Sequence, residues 1–73
     1  MAEIPMISVV SSNVEQIGYE EDTQTLRVRF LNGSEYDYKN VPIMEFEQLK
    51  NAQSVGSYLN RNIKGHYVYE KVG

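Results

Sequence analysis

The segment LRVRFLNGSEYDYK, residues 26–39, constrains the fold of this 73-residue chain more than any other part of the sequence. Apolar and basic residues alternate before the Asn32–Gly33 pair, as they do in a strand that buries one face. A second run with β-forming tyrosines follows this pair, which predicts an antiparallel hairpin. The register of the hairpin decides which side chains enter the core, because a slip of one residue moves every side chain to the other face.

A two-residue turn is the connection that an Asn-Gly pair most often makes. It would place Glu35 opposite Phe30 and Asp37 opposite Val28, so two carboxylates would lie on the apolar face. Burying an unpaired carboxylate is costly, or it forces the carboxylate to take up a proton. We therefore expect a different turn.

A three-residue turn, with Gly33 at positive φ, shifts the register by one residue. Tyr36 and Tyr38 then face the core, and the two arginines of the first strand face carboxylates across the strands. Each favourable cross-strand pair contributes roughly 0.2–1 kcal/mol. The predicted pairs are Leu26 with Tyr38, Val28 with Tyr36, Arg27 with Asp37, and Arg29 with Glu35.

Other extended segments flank the hairpin. Residues 1–8 are predicted to form a loosely ordered tail, and residues 9–73 a single domain. The stretch NVEQIGYE, residues 13–20, predicts a strand with Ile17 and Tyr19 on one face. Residues 66–72, HYVYEKV, predict a short fourth strand or a closing tail.

Two helices are predicted after the hairpin. Pro42 suits the first turn of a helix over residues 42–52, because its missing N–H costs nothing there. Ile43, Phe46 and Leu49 recur at helical spacing in this stretch and should face the sheet.

The second helix is expected at residues 55–64, capped by Ser54 and ended by Gly65. Gly56 lies early in it, where glycine is about 1 kcal/mol less favourable than alanine. We interpret Gly56 as a sign of close packing inside the fold. Together the elements predict an α+β fold, in which two helices cover one face of a three-stranded antiparallel meander with a short fourth strand if it forms.

Composition narrows the class of protein. The chain has no cysteine, so no disulfide or thiolate metal site is expected. No apolar run approaches the ~20 residues that span a bilayer, and the N-terminus lacks the basic and apolar regions of a signal peptide. We therefore expect a cytoplasmic protein without membrane contact.

Catalysis is not expected. The one histidine, His66, follows the end of the second predicted helix. A nucleophile, its base and an orienting group must converge, and no spacing in the sequence suggests such a set. The acidic loop EEDTQT lacks the alternating oxygen ligands and the glycine of a calcium loop. The sequence predicts a protein that is not an enzyme and that has no metal site and no cofactor.

The net charge of −3 is distributed unevenly. Residues 1–49 carry three basic and nine acidic side chains, a balance of −6, whereas residues 50–73 carry four and one, a balance of +3. Ser57, Arg61 and Lys64 would share one exposed face of the second helix. This face is the best candidate for binding an anion, and the alternative is an ordinary solvated helix face. The candidate nucleic-acid-binding residues are Ser57, Asn60, Arg61, Lys64, His66 and Lys71.

Several short motifs occur in order along the chain. SSNV and IGY precede LRVRF, NG, YDY and VP, and these are followed by AQSVG at residues 52–56, by Ile63 and by Tyr67. This order, from about Val9 to Val72, resembles the KTSC domain. That family is named for its occurrence at the C-terminus of some lysyl-tRNA synthetases, and it also includes stand-alone small proteins of bacteria and their phages. The resemblance implies RNA binding by association with the synthetase, and it places the family's tyrosine motif on Tyr36 and Tyr38.

Two functions follow as hypotheses for a small binding module. The first is RNA or tRNA binding through the C-terminal basic face. The second is protein–protein interaction, as a phage or bacterial accessory factor, through the acidic N-terminal half. The sequence does not decide between these partners, or between a monomer and a homodimer. Structural roles are assigned to Gly33, Tyr36, Tyr38, Pro42 and Gly56.

Overall fold

A computed structural model of the chain describes residues 4–73. Within this range one antiparallel sheet has five strands in the order β1–β2–β3–β4–β5, with two helices between β4 and β5 in the chain. The α+β class with an antiparallel sheet and two helices is confirmed, whereas the predicted three or four strands are too few. The elements are β1 (Met6–Ser8), β2 (Val14–Glu20), β3 (Thr25–Phe30), β4 (Glu35–Tyr38), α1 (Ile43–Lys50), α2 (Val55–Tyr58), a π-helical turn (Leu59–Ile63) that continues α2, and β5 (Tyr69–Lys71).

The turn between β3 and β4 has the predicted three residues. The Phe30 N–H donates to the Ser34 carbonyl at 2.8 Å, and the Phe30 carbonyl accepts the Gly33 N–H at 2.9 Å. Leu31, Asn32 and Gly33 therefore form the turn. Gly33 has a φ of +93°, so the prediction of a glycine at positive φ is confirmed.

The predicted strand pairing follows from this turn. Tyr38 is buried and Tyr36 half-buried on the face of the sheet that the helices cover. We call this the helix-side face, and the opposite one the outer face. The partners across β3 and β4 are Leu26 with Tyr38, Arg27 with Asp37, Val28 with Tyr36, and Arg29 with Glu35, so the predicted register is confirmed.

The outer face pairs its charges. Arg27 donates from Nε and Nη2 to the two carboxylate oxygens of Asp37, at 2.7 and 2.9 Å. Asp37 is only 5% exposed, and this two-bond geometry is the strong form of an arginine–carboxylate pair. The Nη1 atom of Arg29 lies 3.9 Å from Oε2 of Glu35, and its Nε atom lies 3.4 Å from Oε1 of Glu15. Both arginines are thus engaged by carboxylates, as the register requires.

The hydrophobic core lies between the helix-side face and the helices. Phe46 of α1 stacks on Tyr19 of β2, with ring centroids 5.3 Å apart. Leu49 is fully buried, as predicted, whereas Ile43 at the first position of α1 is 38% exposed. The fully buried side chains of the core are Val14, Ile17, Leu26, Val28, Val41, Leu49, Leu59 and Ile63.

The N-terminal segment differs from the predicted tail. Strand β1 pairs antiparallel with β2 and places Met6 opposite Gly18. A Cβ on Gly18 would lie 2.5 Å from the Pro5 carbonyl oxygen, so the glycine lets the segment lie close against the sheet. The prediction of a loosely ordered tail is therefore wrong for β1, and residues 1–3 of that tail lie outside the described residues.

The second helix departs from α geometry half-way. Its start is as predicted, because the Ser54 hydroxyl accepts the Ser57 N–H at 3.3 Å. In the π-helical turn the Lys64 N–H donates to the Leu59 carbonyl at 2.9 Å, a span of five residues. The prediction that Ser57, Arg61 and Lys64 share one helix face assumes α-helical spacing from residue 57 to residue 64. That spacing ends before Lys64, whose backbone is extended with a ψ of 129°. All three side chains are nevertheless exposed.

Pro42 and Gly65 bound the helical region. Pro42 directly precedes α1, with a ψ of 149°, so it lies one position earlier than a first-turn residue. Its carbonyl accepts the Glu45 N–H at 2.9 Å. Gly65 has a φ of +83° and directly follows Lys64, which is the usual way for a glycine to end a helix.

One carboxylate ties the helices to the segment before β5. Glu45 of α1 accepts the hydroxyl of Tyr58 at 2.5 Å and the hydroxyl of Tyr67 at 3.0 Å. Burial and the hydrogen bond to Glu45 raise the pKa of Tyr58 to about 12. The same causes, in the same order, raise the pKa of Tyr67. Both phenols are therefore held in the protonated, donating form.

Replacing Gly33 tests the turn. A Cβ added there would have no atom within 4 Å, so any loss of stability comes from the φ of +93° alone. We expect Gly33→Val to lower the free energy of unfolding by about 1–3 kcal/mol, measured by urea titration. Gly33→Asn is the control and should lose less, because asparagine tolerates positive φ better than a β-branched residue. Equal losses in the two variants would contradict this account of the turn.

Replacing Glu45 tests its hydrogen bonds with Tyr58 and Tyr67. We expect Glu45→Gln to lower the pKa of Tyr58 from about 12 part of the way toward the ordinary value of 10.0, because burial remains. The measurement is an NMR pH titration of the tyrosine ring carbons, with Glu47→Gln as a control on the same helix. The stability that Tyr58 contributes should be fully present below about pH 10 and lost as the pH rises through about 12. An unchanged Tyr58 titration in Glu45→Gln would remove the hydrogen bond as a cause.

Candidate nucleic-acid interface

An open groove of about 630 Å³ lies on the helix-side face of the sheet, at β3, β4 and β5. Four aromatic side chains line it: Phe30, Tyr36, Tyr38 and Tyr69. They share this face because Tyr38 pairs directly with Tyr69, and residues two apart in a strand point to the same side. The register of the β3–β4 hairpin therefore supplies three of the four rings.

The rings touch one another without stacking face to face. Phe30 and Tyr36 meet at 82° with centroids 5.8 Å apart. Tyr69 lies 5.7 Å from Tyr36 at 58° and 5.9 Å from Tyr38 at 42°. Tyr69 is 59% exposed. Tyr36 is half-buried, and Phe30 and Tyr38 are buried, so the open aromatic surface of the groove comes mainly from Tyr69.

Lys64 brings a positive charge to the groove. It follows the π-helical turn, and its Nζ lies 5.1 Å from the centroid of the Phe30 ring. This distance is within the range of a cation–π contact. Lys71 of β5 is the direct cross-strand partner of Tyr36, so it stands on the same face of the sheet.

Amides and hydroxyls complete the lining: Ser12, Asn13, Asn32 and Ser34. The Asn13 carbonyl accepts the Leu31 N–H at 2.9 Å, which joins the loop before β2 to the hairpin turn. The Asn32 side-chain oxygen accepts the Ser34 N–H at 3.0 Å. Because this bond uses the oxygen, the Nδ2 group of Asn32 is the donor that remains for a ligand.

Gly56 lets the start of α2 lie against the same loop. A Cβ on Gly56 would lie 2.6 Å from the Asn13 side-chain oxygen and 3.4 Å from the Ser11 hydroxyl oxygen. Gly56 is buried, so the close approach is internal to the fold. It positions the loop that carries Ser12 and Asn13.

The basic side chains fall into two groups. In chain order, the first four basic side chains each have a nitrogen within 4.0 Å of a carboxylate oxygen. The last three basic side chains have no such contact within residues 4–73. The three without such a pair, Arg61, Lys64 and Lys71, are all exposed. The four paired residues are Arg27 with Asp37, Arg29 with Glu15 and Glu35, Lys39 with Glu70, and Lys50 with Glu47.

The six residues proposed from the sequence lie mostly outside the groove. All six are exposed, but only Lys64 lines the groove. The Ser57 N–H is held by the N-cap of α2, and the His66 N–H donates to the Ile63 carbonyl at 3.1 Å. Arg61 and Asn60 lie in the π-helical turn. Sequence reasoning therefore finds the cations and misses the aromatic groove beside them.

The missed residues are Phe30, Tyr69, Asn13 and Asn32. Alternation in the hairpin already puts Phe30 on the face of Tyr36, so the sequence contains that part of the signal. Tyr69 joins them only if β5 pairs with β4, and nothing local fixes the register of a strand so distant in the chain.

A second groove, of about 570 Å³, lies on the outer face and includes Arg27, Asp37 and Lys39 in its lining. Its cations are already paired with carboxylates. Residues 4–73 contain no cluster of three or more His, Asp or Glu side chains that could hold a metal ion. Nor does the described part of the chain contain a helix with the length and apolar character to span a membrane.

The fold and groove define a small α+β domain with an aromatic, cation-edged cleft. Comparison with known families matches residues 10–67 to the KTSC domain. The chain therefore belongs to the KTSC domain family. A KTSC domain protein from Yersinia pestis, known from a crystal structure, superposes with a TM-score of 0.91 at 30% identity, covering 97% of this chain and 100% of that one.

Sequence relatives include both long and short proteins. A lysine–tRNA ligase from Trichormus variabilis is 40% identical over 68 residues, and so is one from Nostoc punctiforme. Each match covers 93% of this chain and 12% of the ligase, so the chain spans only a small part of these relatives. A protein of Stutzerimonas stutzeri is 33% identical over 67 residues, which is 90% of this chain and 94% of that protein.

Proposed function

We propose that this chain is a non-catalytic module that binds RNA through the cations of its C-terminal third. The observation that carries the proposal is the division of the basic side chains. Arg61, Lys64 and Lys71 are exposed and have no carboxylate partner within residues 4–73, whereas every basic residue before them has one. A cation without an internal partner can neutralise a phosphate without first breaking an ion pair.

Similarity to lysine–tRNA ligases supports RNA as the partner. The matched segment is 12% of such a ligase, and the name of that enzyme specifies tRNA as a substrate. A small appended domain with unpaired cations is well suited to adding backbone contacts to a bound tRNA. We extend this role to the present chain by analogy of fold and charge.

The lining of the groove supports a binding role over catalysis. Of the residues that line it, none carries a carboxylate or imidazole, the groups that most often act as general bases. The serine hydroxyls in the lining therefore have no such base beside them to activate them as nucleophiles. Phenols, amides, hydroxyls and one ammonium group remain. These side chains are suited to stacking and hydrogen bonding.

The affinity should be modest because of the rest of the chain. Residues 1–49 carry a balance of −6 against +3 for residues 50–73. Phosphates approaching the C-terminal cations are therefore also repelled by the acidic half. Repulsion of this kind is screened within about 10 Å at 0.1 M salt.

The test compares two double variants that remove the same charge. Arg61→Gln with Lys64→Gln removes two cations that have no carboxylate partner in the described range, and the control, Lys39→Gln with Lys50→Gln, removes two paired ones. Binding to a tRNA and to an unrelated RNA hairpin is measured by fluorescence anisotropy over a series of salt concentrations. We expect the first variant to bind both RNAs about tenfold more weakly per lost contact at ~50 mM salt, with a salt slope reduced by roughly 1.5. The control should stay close to wild type.

Two results would contradict the proposal. Absence of wild-type binding at low salt, where attraction is least screened, would exclude RNA and leave protein interaction through the acidic half. Equal losses in the two double variants would show that net charge, and not the position of Arg61 and Lys64, determines binding.

A further inference from the structure

We infer that the aromatic groove receives a single unpaired nucleotide of the bound RNA, with its base on Tyr69 and its phosphate at Lys64. The inference rests on the proposed function, because it places one nucleotide of the same RNA chain. It adds a role for rings that the charge argument does not use. It also specifies unpaired RNA, such as a loop or an end, over duplex.

The size and lining of the groove suit a planar ring. Its volume of about 630 Å³ is within the ~300–1,000 Å³ that small-ligand sites occupy. Tyr69 is 59% exposed although two other rings adjoin it. The tilts of 58° and 42° against Tyr36 and Tyr38 mean that neither ring covers it face to face. An incoming base can therefore stack there.

The position of the cation selects an anionic ligand. The Nζ of Lys64 lies over the Phe30 ring, 5.1 Å from its centroid, so the charge is held at the aromatic surface itself. Lys71 stands beside Tyr36 on the same face. A nucleotide presents a flat ring and a phosphate a few bonds apart, and the groove is lined by both Tyr69 and Lys64. An uncharged aromatic ligand would leave the lysine without a role.

The polar lining favours a base over a plain aromatic ring. Asn32 retains its Nδ2 donor because its oxygen is bonded to the Ser34 N–H. Ser12 and Asn13 also line the groove. Such amides and hydroxyls can bond the edges of a base that has left its helix. A paired base keeps its faces stacked within the duplex, so it cannot present one to Tyr69.

The experiment uses the full chain and Tyr69 variants. Tyr69→Leu keeps apolar bulk but removes the stacking surface, and Tyr69→Phe keeps that surface. The probes are a single-stranded oligouridine, a single-stranded oligoadenine, and the duplex that they form. We expect wild type to prefer the single strands. Tyr69→Leu should weaken single-strand binding by about 5- to 100-fold, since one stacked base is lost. Tyr69→Phe should bind single strands about as tightly as wild type.

The salt slope separates this inference from the proposed function. Tyr69→Leu removes no phosphate contact, so its salt slope should equal that of wild type, unlike that of Arg61→Gln with Lys64→Gln. Intermolecular NOEs between base protons and the Tyr69 ring in the wild-type complex give a direct readout that does not depend on any variant.

Some results would overturn the inference alone, and others would overturn the proposed function as well. If wild type binds RNA with a clear salt dependence, yet Tyr69→Leu binds as tightly and no NOE reaches the groove, the inference is overturned and the proposed function stands. If wild type binds no RNA at low salt, the proposed function fails first and the inference fails with it. Equal affinity for duplex and single strands would also overturn the inference.

Discussion

The pairing of Arg27 with Asp37 fixes the arrangement on which the other contacts depend. Two hydrogen bonds of 2.7 and 2.9 Å hold the buried carboxylate on the outer face. Asp37 is buried whereas the Arg27 side chain is 29% exposed, so a register of β3 and β4 that separated the two would bury an unpaired carboxylate, which is unfavourable. The same register turns Tyr36 and Tyr38 to the helix-side face, where they complete the core and line the groove. One ion pair thus positions side chains on both faces of the sheet.

Much of the fold could be predicted because burial of charge is so unfavourable. The hairpin register follows from the positions of Glu35 and Asp37, because a two-residue turn would place both carboxylates on the apolar face. This cost outweighs the usual preference of Asn-Gly for a two-residue turn. Strand β1 could not be predicted, because its three residues carry no clear alternation and its place depends on the space over Gly18. The π-helical turn is equally invisible in the sequence, since the hydrophobic spacing of α and π segments differs too little over one turn.

The candidate site, like the fold, has one part that the sequence predicts and another part that it does not. Charge is additive along a sequence, so the excess of basic residues in the C-terminal third is evident from the order of the amino acids. Which cations lack a carboxylate partner is a property of pairing in three dimensions, and within residues 4–73 the fold leaves Arg61, Lys64 and Lys71 without one. The groove depends further on long-range pairing, because Tyr69 reaches Tyr38 across a connection that contains both helices. Local patterns do not encode such a contact.

Strand β5 gives the groove a property that the core does not share. It has three residues, all exposed, at an edge of the sheet, and it contributes no side chain to the buried cluster. Short exposed edges open locally at much lower free energy than the whole domain unfolds. When β5 detaches, Tyr69 leaves and the groove loses one wall, while the core can stay intact. Affinity for any occupant therefore includes the docking equilibrium of this strand, so the fraction of molecules with β5 docked scales the apparent dissociation constant.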